Sequence, residues 1–208
     1  MCKLHHTNGP SDAAVRDHRS PRRQLLNRIH FGFLAFAVLL LAALGNQAAA
    51  LDRDTPFDSI DGGALTLSAW DGRPVLVVNT ASMCAFTEQY RDLQALYDRY
   101  RDQGLVVLAV PSDDFNQEFA SEGEVKEFCE LVYGIDMPMT VITSVKGRNA
   151  HPFYQSLRVE SGFTPRWNFN KVLLDGEGRL VETFASRVRP LSEEITGPIE
   201  ALLANPAG

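Results

Sequence analysis

The chain has 208 residues, 45% of them hydrophobic and 22% charged, with three cysteines, 15 glycines and 11 prolines; this composition excludes disorder, collagen and a disulfide-dense scaffold and suits one domain, or at most two. Its formal charge of −6 conceals an asymmetry, because residues 1–50 hold six of the 20 Lys+Arg and two of the 26 Asp+Glu, so the other 158 residues carry 14 − 24 = −10. A surface that acidic lacks the cations that neutralise phosphates, which argues against nucleic acid and anionic lipid as partners and in favour of small solutes or proteins.

Residues 1–50 read as an address, not a domain. Arg22, Arg23 and Arg28 precede the uncharged run 31–45 (FGFLAFAVLLLAALG), which is short for a bilayer span and has the length of a signal peptide. Ala48-Ala49-Ala50 supplies the small residues that a signal peptidase requires, predicting cleavage before Leu51 and export to a periplasm or beyond. An uncleaved N-terminal membrane anchor is the competing reading. Residues 21–26 have the form of a degenerate twin-arginine signal. Cys2, His5, His6 and His18 fall in this stretch and take no metal or redox role.

Residues 51–208 alternate strands and helices. A short strand is predicted at 65–69, a turn at Asp71-Gly72, and a buried strand at 74–79 (PVLVVN). Tyr90, Leu93, Leu96, Tyr97 and Tyr100 recur at spacings of three and four, predicting a helix over 87–103 that stops at Gly104. Residues 105–110 (LVVLAV) form a second buried strand; two such strands joined by a helix predict a parallel, right-handed βαβ unit covered on both faces. Ser121 with Glu124 is a capping-box pattern opening a helix to Tyr133, ended by Gly134. An extended piece follows at 139–143, and a hairpin is predicted from 169–174 and 179–184 around Asp175-Gly176-Glu177-Gly178. The last helix spans 192–203 with Pro198 inside it. The consequence is one α/β domain at 51–208.

Cys84 lies between the 74–79 strand and the following helix, where α/β sheets place reactive groups. Unpaired N–H groups and the positive end of a helix favour a thiolate there, and thiolate is the nucleophilic form. The bland alternative is a buried, inert cysteine. A thioredoxin-type dithiol needs Cys-x-x-Cys, but position 87 is Thr87, so dithiol exchange within this loop is excluded. A peroxidatic thiol has no such need.

Residues 79–87 (NTASMCAFT) resemble the signature loop of glutathione peroxidases in the cysteine form. The similarity continues in the family's order through 105–111, Asp114-Phe115, Gln117-Glu118, 124–129, His151-Pro152 with Tyr154, and Trp167-Asn168-Phe169 with Lys171. The resemblance implies a thioredoxin-like fold, with a central mixed sheet flanked by helices, and a thiol peroxidase that reduces hydrogen peroxide or organic hydroperoxides in oxidative-stress defence. It implies a catalytic tetrad of Cys84, Gln117, Trp167 and Asn168, no prosthetic cofactor, and a thiol reductant as co-substrate. Chemically, a thiolate attacks one peroxide oxygen while the other leaves, so the site needs hydrogen-bond donors; the amides of Gln117 and Asn168 and the indole N–H of Trp167 supply them.

Cys129 corresponds to the resolving cysteine of thioredoxin-dependent members, which condenses with the sulfenic acid formed on the first cysteine. The alternative is a packed cysteine beside Phe128 and Val132. Ser112 replaces another family cysteine. The long insertion of tetrameric, glutathione-using members is missing between His151 and Trp167, so the resemblance implies a monomer reduced by a thioredoxin-like protein. An acidic domain also offers no obvious basic patch for the carboxylates of glutathione. His151 reads as a loop residue, and Asp113, Asp114 and Glu118 as a solvated face. Two rival functions remain: a redox sensor that passes a Cys84–Cys129 disulfide to a partner, and a thiol-disulfide oxidoreductase, against which Thr87 speaks.

Overall fold

In the computed structural model, which describes residues 51–205, the chain opens with a short antiparallel hairpin of β1 (Phe57–Asp58) and β2 (Ala64–Leu65). The export signal read at 1–50 lies outside the described residues. Where the sequence predicts a strand at 65–69, Leu67–Trp70 instead wind into a 3-10 turn. The backbone pairs locally there, Ala69 N to Thr66 O and Asp71 N to Ser68 O, while Leu67 still reaches the core. Alternating apolar residues over so short a stretch suit either conformation.

The centre is built from β3 (Val75–Thr80), α1 (Gln89–Tyr100), β4 (Val106–Pro111), α2 (Glu122–Tyr133), α3 (Pro152–Ser161), β5 (Lys171–Leu174), β6 (Leu180–Phe184) and α4 (Glu193–Ala204). The sheet order is β4-β3-β5-β6. β3 and β4 are parallel, from Val75 opposite Val106 to Thr80 opposite Pro111; β5 is antiparallel to β3, and β6 to β5. Every residue of β3, β4 and β5 is buried, as unbroken aliphatic runs require when helices cover both faces. Leu76, Val78, Val107, Ala109 and Leu173 turn to one face, against Leu93 of α1, Val125 of α2 and Ile195 of α4. Val75, Val77, Leu108, Val110 and Val172 turn to the other, against Phe57 and against Phe153 and Leu157 of α3. Each such side chain contributes about 1.5–3 kcal/mol on full burial. This mixed, helix-flanked sheet is the thioredoxin-like arrangement that the resemblance implied.

α2 forms as its capping pattern predicts. Ser121 Oγ accepts the Glu124 N–H at 3.4 Å and donates to Glu124 Oε2 at 2.8 Å, and Gly134 ends the helix at φ 64°. α3, by contrast, is absent from the sequence reading, and the loop residue His151 stands directly before it. His151 is the N-cap: its Nδ1 accepts the Phe153 N–H at 3.3 Å, Pro152 follows at the first helical position, and the imidazole stacks on Phe57 with centroids 3.6 Å apart.

Candidate active site

Cys84 sits in the loop that leaves β3, five residues before α1 begins at Gln89, so it precedes the helix by more than the sequence suggests. Tight turns fill the gap: Thr87 N donates to Cys84 O and Gln89 N to Phe86 O. The loop is closed by Thr87, whose hydroxyl accepts the Cys84 N–H at 3.0 Å and donates to Ala81 O at 2.9 Å. The residue that rules out a dithiol thus shapes the loop. Cys84 Sγ accepts the Phe86 N–H at 3.4 Å; the cysteine is 8% exposed beside Met83, which is 53% exposed.

The loop after β4 lies against it. Met83 N donates to Gln117 O at 2.9 Å, and Ser82 N to Glu118 Oε1 at 3.1 Å. Asn116, at φ 56°, supplies the left-handed turn that brings Gln117 round. Gln117 Oε1 in turn accepts from Asn168 Nδ2 at 3.0 Å.

Trp167 and Asn168 lie in a turn before β5, which begins at Lys171 and not at the predicted 169. Phe169, at φ 62°, breaks the extended run, a conformation uncommon for an aromatic residue and one that marks an over-determined site. Asparagines pin this turn: Asn79 Nδ2 donates to Trp167 O at 3.0 Å, and Asn170 Oδ1 accepts from Arg166 N at 2.8 Å and Trp167 N at 3.4 Å. Asn168 is fully buried, whereas Trp167 is 41% exposed with its ring 5.4 Å from that of Phe115. Gln117 and Asn168 are therefore in direct contact, and backbone bonds tie the Gln117 loop to that of Cys84.

Cys129 is buried in the same core as Cys84, and both thiols are free. Burial pushes the Cys129 thiol up to about 12, with the Tyr90 hydroxyl pulling down and Glu118 and Glu130 adding to the rise.

Of the solvated face expected at Asp113, Asp114 and Glu118, Asp113 is exposed, Asp114 is half-buried and Glu118 is buried. Glu118 is 5% exposed, and burial raises its carboxyl above the usual range. Asp114 ties down a neighbouring loop, accepting from Val145 N at 2.6 Å and Lys146 N at 2.9 Å. Local sequence signals little of this: the Asp114 donors lie 30 to 32 positions away, and Glu118 accepts from Ser82 N, 36 positions away, besides the adjacent Phe119 N. Lys171 is likewise buried, its ammonium donating to Gln89 Oε1 at 2.6 Å, Val188 O at 2.6 Å and Ser186 O at 3.3 Å. It links the start of α1 to the strand after the Trp167 turn; its one sequence signal is a charge inside an apolar run.

A groove of about 980 Å³ opens beside the site, lined among others by Phe86, Phe163, Trp167, Val181, Arg166 and Arg187. Neither arginine is in an ion pair among the described residues, so the fold gathers two cations where the sequence suggested no basic patch.

Comparison with known proteins identifies the family. The glutathione peroxidase family model matches residues 54–158. The chain is 41% identical over 149 residues to a glutathione peroxidase of Lactococcus lactis, spanning 69% of this chain and 94% of that one. It is 40% identical over 157 residues to the hydroperoxy fatty acid reductase gpx1 of Synechocystis, spanning 70% and 92%. Among solved structures, T. cruzi GPX1 superposes with a TM-score of 0.58 at 28% identity, covering 74% of this chain and 97% of that one. The chain belongs to the glutathione peroxidase family.

Proposed function

We propose that this thiol peroxidase works through Cys84 as the peroxidatic thiol, with Gln117, Trp167 and Asn168 as donors and Cys129 as the resolving thiol. The observation that carries the assignment is the 3.0 Å bond from Asn168 Nδ2 to Gln117 Oε1, which joins the Trp167 turn to the loop that Met83 N bonds at Gln117 O. That bond uses the Gln117 carbonyl and leaves its NH₂ to donate to sulfur or to the departing oxygen. The Cys84 thiolate attacks one peroxide oxygen; the O–O bond breaks, the S–O bond forms, and the leaving oxygen takes a proton to become water or an alcohol. Cys84 is then a sulfenic acid, and Cys129 condenses with it to a disulfide with loss of water.

Organic hydroperoxides fit the apolar side of the groove, a reading that the Synechocystis relative, a hydroperoxy fatty acid reductase, supports. No prosthetic group takes part. A thioredoxin-like protein is the proposed reductant, a monomer the proposed state, and the periplasm the proposed compartment after cleavage before Leu51. Glutathione is a second reading, favoured by Arg166 and Arg187 in the groove, whose charges suit its carboxylates.

The test is a stopped-flow peroxide titration of the reduced protein followed by intact mass. Wild type should consume peroxide and lose about two mass units, Cys84→Ser should not react, and Cys129→Ser should stop at the sulfenic acid. Normal cycling of Cys129→Ser with glutathione would make Cys129 structural and glutathione the donor.

A further inference from the structure

The backbone of Trp167 is pinned by Asn79 and Asn170, but its side chain is 41% exposed, and an indole so exposed turns about its side-chain bonds unless something packs on it. Among the described residues, the one aromatic ring paired with it is that of Phe115, with centroids 5.4 Å apart and planes at 52°. Phe115 is itself anchored. It is half-buried against the core that holds Val110 and Val145, and the Lys146 ammonium stands over its ring, 4.0 Å from the centroid. That ammonium is in no ion pair among the described residues, so the ring is the partner the fold gives it. Asp114, the residue before Phe115, sets the lysine there: its carboxylate accepts from Val145 N at 2.6 Å, Lys146 N at 2.9 Å and Ser144 Oγ at 3.1 Å. Contacts therefore run from Asp114 through Lys146 and Phe115 to the indole. Trp167 lines the groove beside the site and Phe115 does not, so Phe115 reaches the reaction through the indole.

We propose that Phe115, held by Lys146, is a positioning residue of the peroxidase: it fixes the ring of Trp167 so that the indole N–H stays aimed at the reacting sulfur and the departing oxygen. This rests on the reading of Cys84 as the peroxidatic thiol and Trp167 as a donor to it. A donor lowers the barrier only where it is already aimed at the charge that develops, and a ring that must first be brought round loses that advantage. The indole nitrogen donates and cannot accept, so its orientation is its whole contribution. A leucine at 115 would keep most of the volume but lack both the flat face that meets the indole and the π-cloud that holds the ammonium. A methionine at 146 would keep the stem of the lysine and lose the charge, loosening the phenyl ring one contact further back.

The test measures the rate at which hydrogen peroxide oxidises Cys84 in the reduced full-length chain, by rapid quench and intact mass, in wild type, Trp167→Phe, Phe115→Leu, the double variant of those two, Lys146→Met and Lys146→Arg. Trp167→Phe removes the donor and should slow oxidation at least about tenfold. Phe115→Leu should slow it at least about fivefold, Lys146→Met about threefold, and Lys146→Arg, which keeps a cation for the ring, should restore the rate. Because Phe115 acts through the indole, Phe115→Leu should slow the Trp167→Phe protein no further. A Trp70→Phe background leaves Trp167 as the one tryptophan, and there Phe115→Leu should lower the fluorescence anisotropy and raise quenching by acrylamide. Oxidation of Phe115→Leu at the wild-type rate overturns the proposal. So does the same fivefold loss in the Trp167→Phe background, or an unchanged anisotropy, since either would mean that Phe115 supports the fold and not the indole. Oxidation of Trp167→Phe at the wild-type rate overturns the reading of Trp167 as a donor and this proposal with it; a wild type that does not react with peroxide overturns the reading of Cys84 itself.

Discussion

The Lys171 ammonium is fully buried against three neutral oxygens, with no carboxylate among its hydrogen-bond partners. Two effects oppose each other. Three acceptors match the three N–H bonds of an ammonium, but burial penalises the charge and is the larger effect, lowering the group to about 7, with Asp92 pulling weakly the other way. In the unfolded chain the same lysine titrates at about 10.4. Between those values the unfolded chain binds a proton that the folded chain lacks, so the lysine's contribution to stability is least below pH 7 and grows as pH rises towards 10. Lys171→Met strands the oxygens of Gln89, Ser186 and Val188 and is expected to destabilise by about 2 kcal/mol at neutral pH. Denaturant titrations of both proteins between about pH 6 and 10 should show wild type gaining on the variant as pH rises. A constant difference across that range would mean that Lys171 keeps its proton throughout.

At the scale of elements, α2 matters most, because it carries Cys129 and begins next to the Glu118 loop. Its start depends on one hydroxyl. Ser121→Ala removes the acceptor for Glu124 N and is expected to cost about 1 kcal/mol, which for a domain of this size lowers the melting midpoint by about 2–4 °C. Thermal denaturation of the reduced variant checks this, and Ser121→Asp should restore the cap. α2 was legible in the sequence because its signals are local: Ser121 and Glu124 at one end, Gly134 at the other. β3 and β4 were legible because an unbroken aliphatic run has one sensible place in an α/β sheet. α3 was not, although Pro152 and Gly162 bracket it as a helix start and stop should be bracketed. Its buried residues, Phe153, Tyr154 and Leu157, are few and interleaved with polar ones. Cys84 stood out by its place between a strand and a helix, whereas Gln117, Trp167 and Asn168 were reached through family resemblance, and the bond between Gln117 and Asn168 spans 51 positions. The burial of Glu118 was illegible for the same reason: its partner Ser82 N is 36 positions away, and a sequence read locally shows only a charge in a polar loop.

The whole molecule depends on where its folded part begins. Leu51, the residue directly after the predicted cleavage point, is 7% exposed and packs in the core that holds Phe57 and Phe153. Asp52 N donates to Ser156 Oγ on α3 at 2.8 Å, and the Asp52 carboxylate accepts from Thr55 N and Thr55 Oγ1, each at 2.9 Å. These few residues fasten the N-terminal end of the domain to the face of the sheet opposite Cys129. A protein starting at Leu51 is therefore expected to unfold at the same midpoint as the full chain. One starting at Thr55 loses the burial of Leu51, worth about 2 kcal/mol, and a net hydrogen bond to Ser156 of about 1 kcal/mol. At roughly 3 kcal/mol the midpoint should drop by about 6–12 °C. Scanning calorimetry of the three lengths decides the matter: an unchanged midpoint for the Thr55 start would show that Leu51 and Asp52 are passengers, whereas the expected drop would make a cut before Leu51 the last position at which a peptidase could release the domain without weakening it.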